Sequence, residues 1–373
     1  MTQVKILGGL LAISLVGAYL THHRDPDAAP STDVRIVSTD LADLTAVTWS
    51  EPDKTIRLTK PADERGSYVW IEVTERSKVP ANPPAAAKAH GHDHGDDDDH
   101  DHDDEAAPGP SPDGDAEGSD EEEEAYDIIE TTLRFLGNDA AGDLWKDFAP
   151  MMALRELRLG ADADLSAYGL AEPDTRLELE RRSGAAQLNV GGEAYGTRDR
   201  YIQFGERVFL ADDKKLRPLQ FARTRLIERR LFPVADANIA SIALQQGQAQ
   251  RSLVQANASD RARAFWADAN RPEEDDVEAG TWIGKLLRLR VQTYVDQAPD
   301  AGPLEPLFTF VVTEQGGATW PVEVFGQDAA GTREYYARPA FNRSMVKLTR
   351  ALVDDVMADL DAIVSPSQDA DAE

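Results

Sequence analysis

Cysteine is absent from all 373 residues, which excludes disulfides, thiolate catalysis, cysteine-ligated zinc and lipidation of an N-terminal cysteine. Histidine is nearly as telling. The seven are His22, His23, His90, His92, His94, His100 and His102, all beside an N-terminal apolar run or inside an acidic tract. Neither candidate folded region therefore holds a histidine, so Ser–His and Cys–His nucleophile systems and a histidine general base are excluded there. Carboxylate chemistry and a Lys or Tyr base remain. Aromatics make up only 7% of the chain, and no glycine pattern matches a phosphate- or dinucleotide-binding fingerprint.

Negative charge is abundant. The formal net charge is −29, and residues 91–125 hold 17 Asp and Glu with no Lys or Arg, so the remainder carries −12. Such a chain stays soluble and repels nucleic acid and anionic lipid headgroups. Length and a 41% apolar content suffice for one large or two medium cores.

Met1–Lys5 is a short positive start, and the run ILGGLLAISLVGAYL follows from Ile6 to Leu20. Residues 4–21 are about long enough to cross a bilayer at ~1.5 Å per residue. The reading adopted is an uncleaved single-pass anchor over residues 1–24 of the cytoplasmic membrane, with the C-terminal bulk extracytoplasmic. A signal peptide cleaved near Val16-Gly17-Ala18 and a buried core helix are the alternatives.

After a linker over residues 25–33, alternating and β-branched residues predict strands at Val34–Ser38, Ala46–Ser50, Thr55–Thr59 and Tyr68–Thr74. Residues 80–124 have almost no apolar side chain larger than Val and are expected to be a disordered insertion. Tyr126–Leu136 reads as strand or short helix. Asn138-Asp139 looks like the N-cap of a helix from Ala140 to about Leu157, with Leu144, Phe148, Met151, Met152 and Leu154 on its apolar face. A short turn over Leu165–Leu170 comes next. Strands are expected near Arg176–Arg181, Ala186–Val190, Tyr201–Gln203 and Arg207–Leu210, then a helix from Pro218 to Leu231.

A similar passage begins near Ile239. Strands Ile239–Gln245, Arg251–Gln255 and Arg263–Asp268 precede a helix over Asp275–Val291 and the segment Gln292–Asp296. Strands Leu307–Thr313, Trp320–Phe325 and Arg333–Arg338 and a helix over Asn342–Val364 complete it. Gly196-Thr197-Arg198-Asp199-Arg200-Tyr201 matches Gly331-Thr332-Arg333-Glu334-Tyr335-Tyr336, and Leu188-Asn189-Val190 corresponds to Val322-Glu323-Val324, with one extra residue before the second Gly-Thr-Arg. The fold class expected is α+β: two similar units of antiparallel sheet with helices packed on one face, plus the membrane helix and the disordered acidic insertion. Unit one comprises residues 34–79 and 125–236, unit two residues 237–364, and residues 365–373 form a disordered tail.

Tyr168-Gly169-Leu170 with Pro173, the Leu188–Val190 strand with its glycine turn, Tyr201 and the run Arg223–Leu231 together resemble the bacterial domain-of-unknown-function 4340 family. The resemblance covers most of residues 34–360 outside the acidic insertion. It implies an anchored extracytoplasmic protein with a role beside an ABC-type exporter, and it brings no catalytic residues with it.

Three features carry chemistry. Within His90–Glu105, His90, His92, His94, His100 and His102 with Asp93 and Asp101 are transition-metal ligands by type and spacing, and weak binding of Zn, Ni, Co or Cu(II) is expected of them. The plainer reading is a solvated acidic spacer. Arg223, Arg225, Arg229 and Arg230 with Glu228 read as a basic helix, either a solvated face with internal ion pairs or a docking surface for an acidic partner. Gly191-Gly192 and Gly316-Gly317 read as hairpin turns, and the six Trp, one per element, as core.

The function expected is therefore non-catalytic: a membrane-tethered binding or scaffolding protein with a protein partner, an ABC transporter subunit by resemblance, no nucleic acid and no resident cofactor. A metal-buffering envelope protein acting through the His/Asp tract is the alternative. A carboxylate-dependent envelope hydrolase is the third reading.

Overall fold

Strands dominate because β-branched and aromatic residues alternate with polar ones through most of the chain, and most of the longer strands bury one face. The computed structural model describes residues 33–80, 126–160, 163–296, 302–329 and 331–365. The predicted membrane segment over residues 4–21, the insertion and the C-terminal tail beyond Ser365 lie outside them. Among the described residues no helix is long and apolar enough to cross a membrane.

In chain order the first half contains β1 (Val34–Val37), β2 (Leu44–Ser50), β3 (Lys54–Thr59), β4 (Ala62–Asp63), β5 (Gly66–Ser67), β6 (Trp70–Pro80) and β7 (Tyr126–Leu136). Then come α1 (Asp139–Asp147), β8 (Met151–Ala153), β9 (Arg155–Leu157), β10 (Thr175–Arg181), β11 (Gly184–Glu193), β12 (Arg200–Phe204), β13 (Arg207–Ala211), α2 (Arg217–Gln220) and α3 (Ala222–Arg225). The second half contains β14 (Ile239–Gln246), β15 (Ala249–Ala256), β16 (Phe265–Asp268), α4 (Val277–Leu286) and β17 (Val291–Val295). It ends with β18 (Glu305–Glu314), β19 (Thr319–Ala329), β20 (Thr332–Pro339), β21 (Met345–Leu348) and α5 (Arg350–Val364).

While β1 with β8 and β4 with β5 make two-stranded ladders, most of these strands form two large antiparallel sheets whose orders correspond. The first runs β7-β6-β3-β2-β10-β11-β12-β13-β9, the second β16-β15-β14-β18-β19-β20-β21-β17. In each, three strands and a helix precede a short strand that takes the far edge, and a four-strand meander fills the middle. Strand β7 is the addition in the first sheet. Register agrees as well: Val190 faces Ile202 and Val324 faces Ala337, each partner lying six residues after its turn glycine, Gly196 or Gly331. Those two glycines have φ of 78° and 79°. The extra residue before the second Gly-Thr-Arg answers to a register shift, which falls between Val190 and Glu193 in the first sheet.

One continuous cluster of buried side chains, from Ile36 to Val364, runs through both sheets. Trp49, Trp145 and Trp282 are fully enclosed in it, whereas Trp70, Trp266 and Trp320 pack at its margin. Helix α5 lies on β14, β15 and β20 and against α4, where the Trp282 indole N–H donates to the Val356 carbonyl at 2.9 Å. Arg251, almost wholly buried, ties these parts together. It donates to Asp268 at 2.9 Å, to Asp276 at the α4 N-terminus, and to the Ile363 carbonyl of α5 at 2.9 Å. Residues Glu75–Thr131 form a separate small unit, in which Arg76 pairs with Glu130 at 3.0 Å.

Several boundaries differ from expectation. Asn138 does cap α1, its side chain accepting from Ala141 N at 3.2 Å, but the helix stops at Asp147. Pro150 has no N–H to continue it, and Met151–Ala153 and Arg155–Leu157 become strands on β1 and β13. The expected helix over Pro218–Leu231 is two single turns, α2 and α3. Beyond Arg225 the chain is extended, because Leu226 O accepts from Asn138 N and Glu228 N donates to Leu136 O, both at 2.8 Å. The helix expected over Asp275–Val291 ends at Leu286, since Val291 N donates instead to Arg229 O at 3.0 Å. Met345–Leu348 was expected to be helical but alternates and pairs with β17 and β20, which delays α5 to Arg350. Tyr126–Leu136 is a strand.

Candidate docking surfaces

Of the residues that carry the family resemblance, Tyr168-Gly169-Leu170, the glycines after Val190 and Tyr201 meet at one place. Residues Leu165–Tyr168 form a 3-10 turn closed by Gly169 at φ 66°. Tyr168 stacks edge-on against Tyr201 of β12 with ring centres 4.9 Å apart, and Leu170 is buried. Gly191-Gly192 lies within β11 and is not the hairpin turn expected, whereas Gly316-Gly317 does fall in the turn between β18 and β19. The reason is contact: a Cβ on Gly191 would stand 2.3 Å from the Tyr168 carbonyl, and one on Gly169 2.8 Å from Gly192 N. The signature is a packing knot. It holds no reactive group.

The Arg-rich run divides into two parts with different fates. Glu228 is only 3% exposed, and its carboxylate accepts from Arg230 N at 2.8 Å and from the Arg230 guanidinium at 2.6 to 3.1 Å. That hydrogen bonding raises the Arg230 pKa further above its ordinary range. Tyr294 donates to the Glu228 carbonyl at 3.0 Å. The Asn342 amide, fully buried, donates to Tyr294 Oη at 2.7 Å and to Arg230 O at 3.1 Å. Burial pushes the Tyr294 hydroxyl well above the ordinary phenol range. Arg229 donates to the Val291 carbonyl at 3.0 Å. Glu228, Arg229 and Arg230 thus bind the two sheets to each other and do not form the basic helix face expected of them. Buried, hydrogen-bonded polar groups of this kind fix register more than they add stability, although among the described residues the Asn342 Oδ1 has no hydrogen-bond partner.

Arg223 and Arg225 remain outside, on α3. Lys214, Lys215 and Arg217 precede them in the chain, and Phe221 between the two groups is 46% exposed. The guanidinium carbons of Arg217 and Arg225 lie 5.9 and 5.8 Å from the centre of its ring. Sequence reasoning missed Phe221; its signal was an aromatic among cations where the helix period breaks.

A second exposed apolar group belongs to the small unit over Glu75–Thr131. Tyr126, Ile128 and Ile129 of β7 are exposed, Ile128 at 68%. Tyr126 and Ile128 share one face of the strand and Ile129 lies on the other. Strand β7 ends the order of its sheet, so among the described residues its outer backbone edge is open around Ile128 and Ile129, though not at Leu136, whose carbonyl accepts from Glu228 N.

The predicted metal ligands, His90, His92, His94, His100, His102, Asp93 and Asp101, lie outside the described residues. Among the described residues no group of three or more His, Asp or Glu is placed to hold a metal ion.

Residues 143–306 match the family described as Domain of unknown function (DUF4340). Over this stretch, which is less than half of the chain, the sequence is similar to that family. The match starts within α1 and ends in β18, so it takes part of each sheet and runs through the junction between them. The Tyr168–Gly191 knot, the Glu228–Arg230 lock and the Phe221 patch therefore all lie in the matched segment, whereas the β7 edge lies before it. No curated protein and no solved structure matches the chain.

Proposed function

We propose that this chain is a non-catalytic, membrane-tethered extracytoplasmic scaffolding protein that docks onto protein subunits of the membrane, with an ABC-type exporter as the first candidate. The observation that carries the reading is the outer edge of β7 around Ile128 and Ile129, open among the described residues, with these two side chains exposed on opposite faces. Asp127 and Glu130 put charge on this edge, yet Ile128 and Ile129 stand exposed between them, and an exposed edge is a template for another strand. The occupant proposed is an apolar strand of the partner, added to β7 by main-chain hydrogen bonds with side-chain pockets giving specificity. A second copy of this chain fits less well. Residues 91–125 lead directly towards β7 with 17 carboxylates, and two such tracts repel.

The test is affinity purification of the tagged full-length protein from gently solubilised native membranes, followed by mass spectrometry. Wild type is expected to retain transporter subunits in a constant ratio, and an Ile128→Asp/Ile129→Lys variant to lose them at unchanged expression. Recovery of the same subunits with both proteins overturns the β7 assignment. A solitary wild-type protein overturns the scaffolding role itself.

A further inference from the structure

Against a net charge of −29, Lys214–Arg225 holds five cations, Lys214, Lys215, Arg217, Arg223 and Arg225, and no carboxylate. The local fold turns them outward. Leu216, Leu219 and Ala222 are buried by the 3-10 turn over Asp213–Lys215 and by α2 and α3, which leaves the intervening cations on the solvent side. Phe221 sits where α2 gives way to α3, its ring exposed between two guanidiniums. Lys54 braces this break by donating to the Gln220 carbonyl at 2.7 Å, and its own charge is met by Glu51 at 3.5 Å. Among the described residues Lys214, Lys215, Arg217 and Arg225 take part in no ion pair.

The fold does not demand this arrangement. At the corresponding place in the second half, after β21, stands α5: one continuous helix of 15 residues bearing Asp354, Asp355, Asp359 and Asp361. One half thus offers an unbroken acidic helix and the other a broken basic segment with an aromatic at the break.

We infer that the Phe221 patch is a docking surface for an acidic segment of a protein partner, whose carboxylates meet Arg217 and Arg225 and whose apolar side chain seats on Phe221. Aromatic and Arg residues are the side chains that concentrate binding energy at protein interfaces, and an Arg fork matches a carboxylate in two hydrogen bonds. A bilayer surface is the weaker match. The patch offers one exposed apolar side chain for insertion, and the acidic remainder of the chain is repelled by anionic headgroups. This surface shares no residue with the β7 edge and stands independently of it.

The probe is a fluorescein-labelled peptide of alternating Glu and Leu, titrated by anisotropy with the full-length protein in dodecyl maltoside micelles. A peptide with Gln in place of Glu is the control. Wild type is expected to bind the Glu peptide with an affinity that falls as salt rises. Phe221→Ser and the Arg217→Glu/Arg225→Glu pair are each expected to weaken binding by about tenfold or more. Both variants alter exposed or half-exposed side chains, and unchanged thermal melts confirm that they fold. Equal affinity for the Gln peptide, or indifference to both variants, overturns the inference. Displacement of the peptide by phosphatidylglycerol but not phosphatidylcholine mixed into the micelles assigns the patch to lipid and overturns it too. So does binding that appears only after deletion of residues 90–124, which makes the chain's own acidic tract the occupant.

Discussion

The guanidinium of Arg343 lies 4.0 Å from the ring centre of Tyr68 while it holds Asp63 in two hydrogen bonds. Arg343 does this from a left-handed backbone with φ of 58°, a conformation that costs a non-glycine residue about 1 kcal/mol. The pairing joins β4 to the loop before β21, and Arg65 adds a second stacking contact over Trp320 at 5.0 Å. The strained backbone and the ion pair at Arg343 act in opposite directions and can be separated by substitution.

Arg343→Ala removes the pair and keeps the strain, whereas Arg343→Gly removes both. Urea melts should show Ala as the more destabilised of the two by roughly 1 kcal/mol. Equal midpoints would mean that the left-handed backbone is not maintained in solution.

Acid stability should report the same contact. Hydrogen bonding from Arg343 holds the Asp63 carboxyl below the usual carboxylate range. A group depressed in the folded state stabilises above its unfolded pKa and loses that contribution as pH falls through the folded value. Asp63→Asn should therefore be less stable than wild type at pH 7, with the gap closing below about pH 4. A gap independent of pH would place the effect elsewhere.

Glycine substitutions should split by location. Gly191→Ala puts a methyl into the Tyr168 carbonyl and should lower the melting temperature by several degrees. Gly142→Ala, on α1 with nothing within 4 Å of the added Cβ, should raise stability by about 0.5–1 kcal/mol. Scanning calorimetry on the two single variants is sufficient to see opposite signs.

Removing Arg251 leaves Asp268 and Asp276 facing each other without their shared cation, beside the orphaned Ile363 carbonyl. Arg251→Ala should cost about 3–5 kcal/mol in denaturant unfolding. Arg251→Met, which restores the volume, should recover only part of it, because the two carboxylates stay unpaired. Full recovery by Met would show that packing, not charge, sets the value.

Metal binding by the His/Asp tract is expected to be modest and confined to it. Calorimetry with Zn, Ni and Cu(II) should give heat for wild type at pH 7.5 and none after deletion of residues 90–105. At pH 5.5 most imidazoles are protonated and the heat should largely vanish. Identical curves for the two proteins at pH 7.5 would remove the tract from consideration.

What could be read in the sequence followed the range of the interaction responsible. Alternation placed the long strands, since each face of a strand is a local pattern. The Asn138 cap and the Gly-Thr-Arg correspondence are also local, and both stand in the fold. The three-residue strands β8 and β9 are too short to show a period. Leu144, Phe148, Met151 and Met152 fit a helical stripe whose second half is strand, and Pro150 was the overlooked signal. Nothing near Glu228 announces that this carboxylate is buried. Its place is set by Tyr294 and Asn342, more than 60 residues away, whose amide and hydroxyl saturate the backbone around it.

Strand β7 has no counterpart in the second sheet, and the long insertion enters and leaves through the β6–β7 hairpin that β7 completes. Every other strand keeps its neighbours whatever the length of that excursion. The hairpin is consequently a natural splice point. A fluorescent protein or an affinity handle inserted between residues 81 and 125 should leave both sheets folded, giving a reporter of where the protein resides in the cell and what accompanies it.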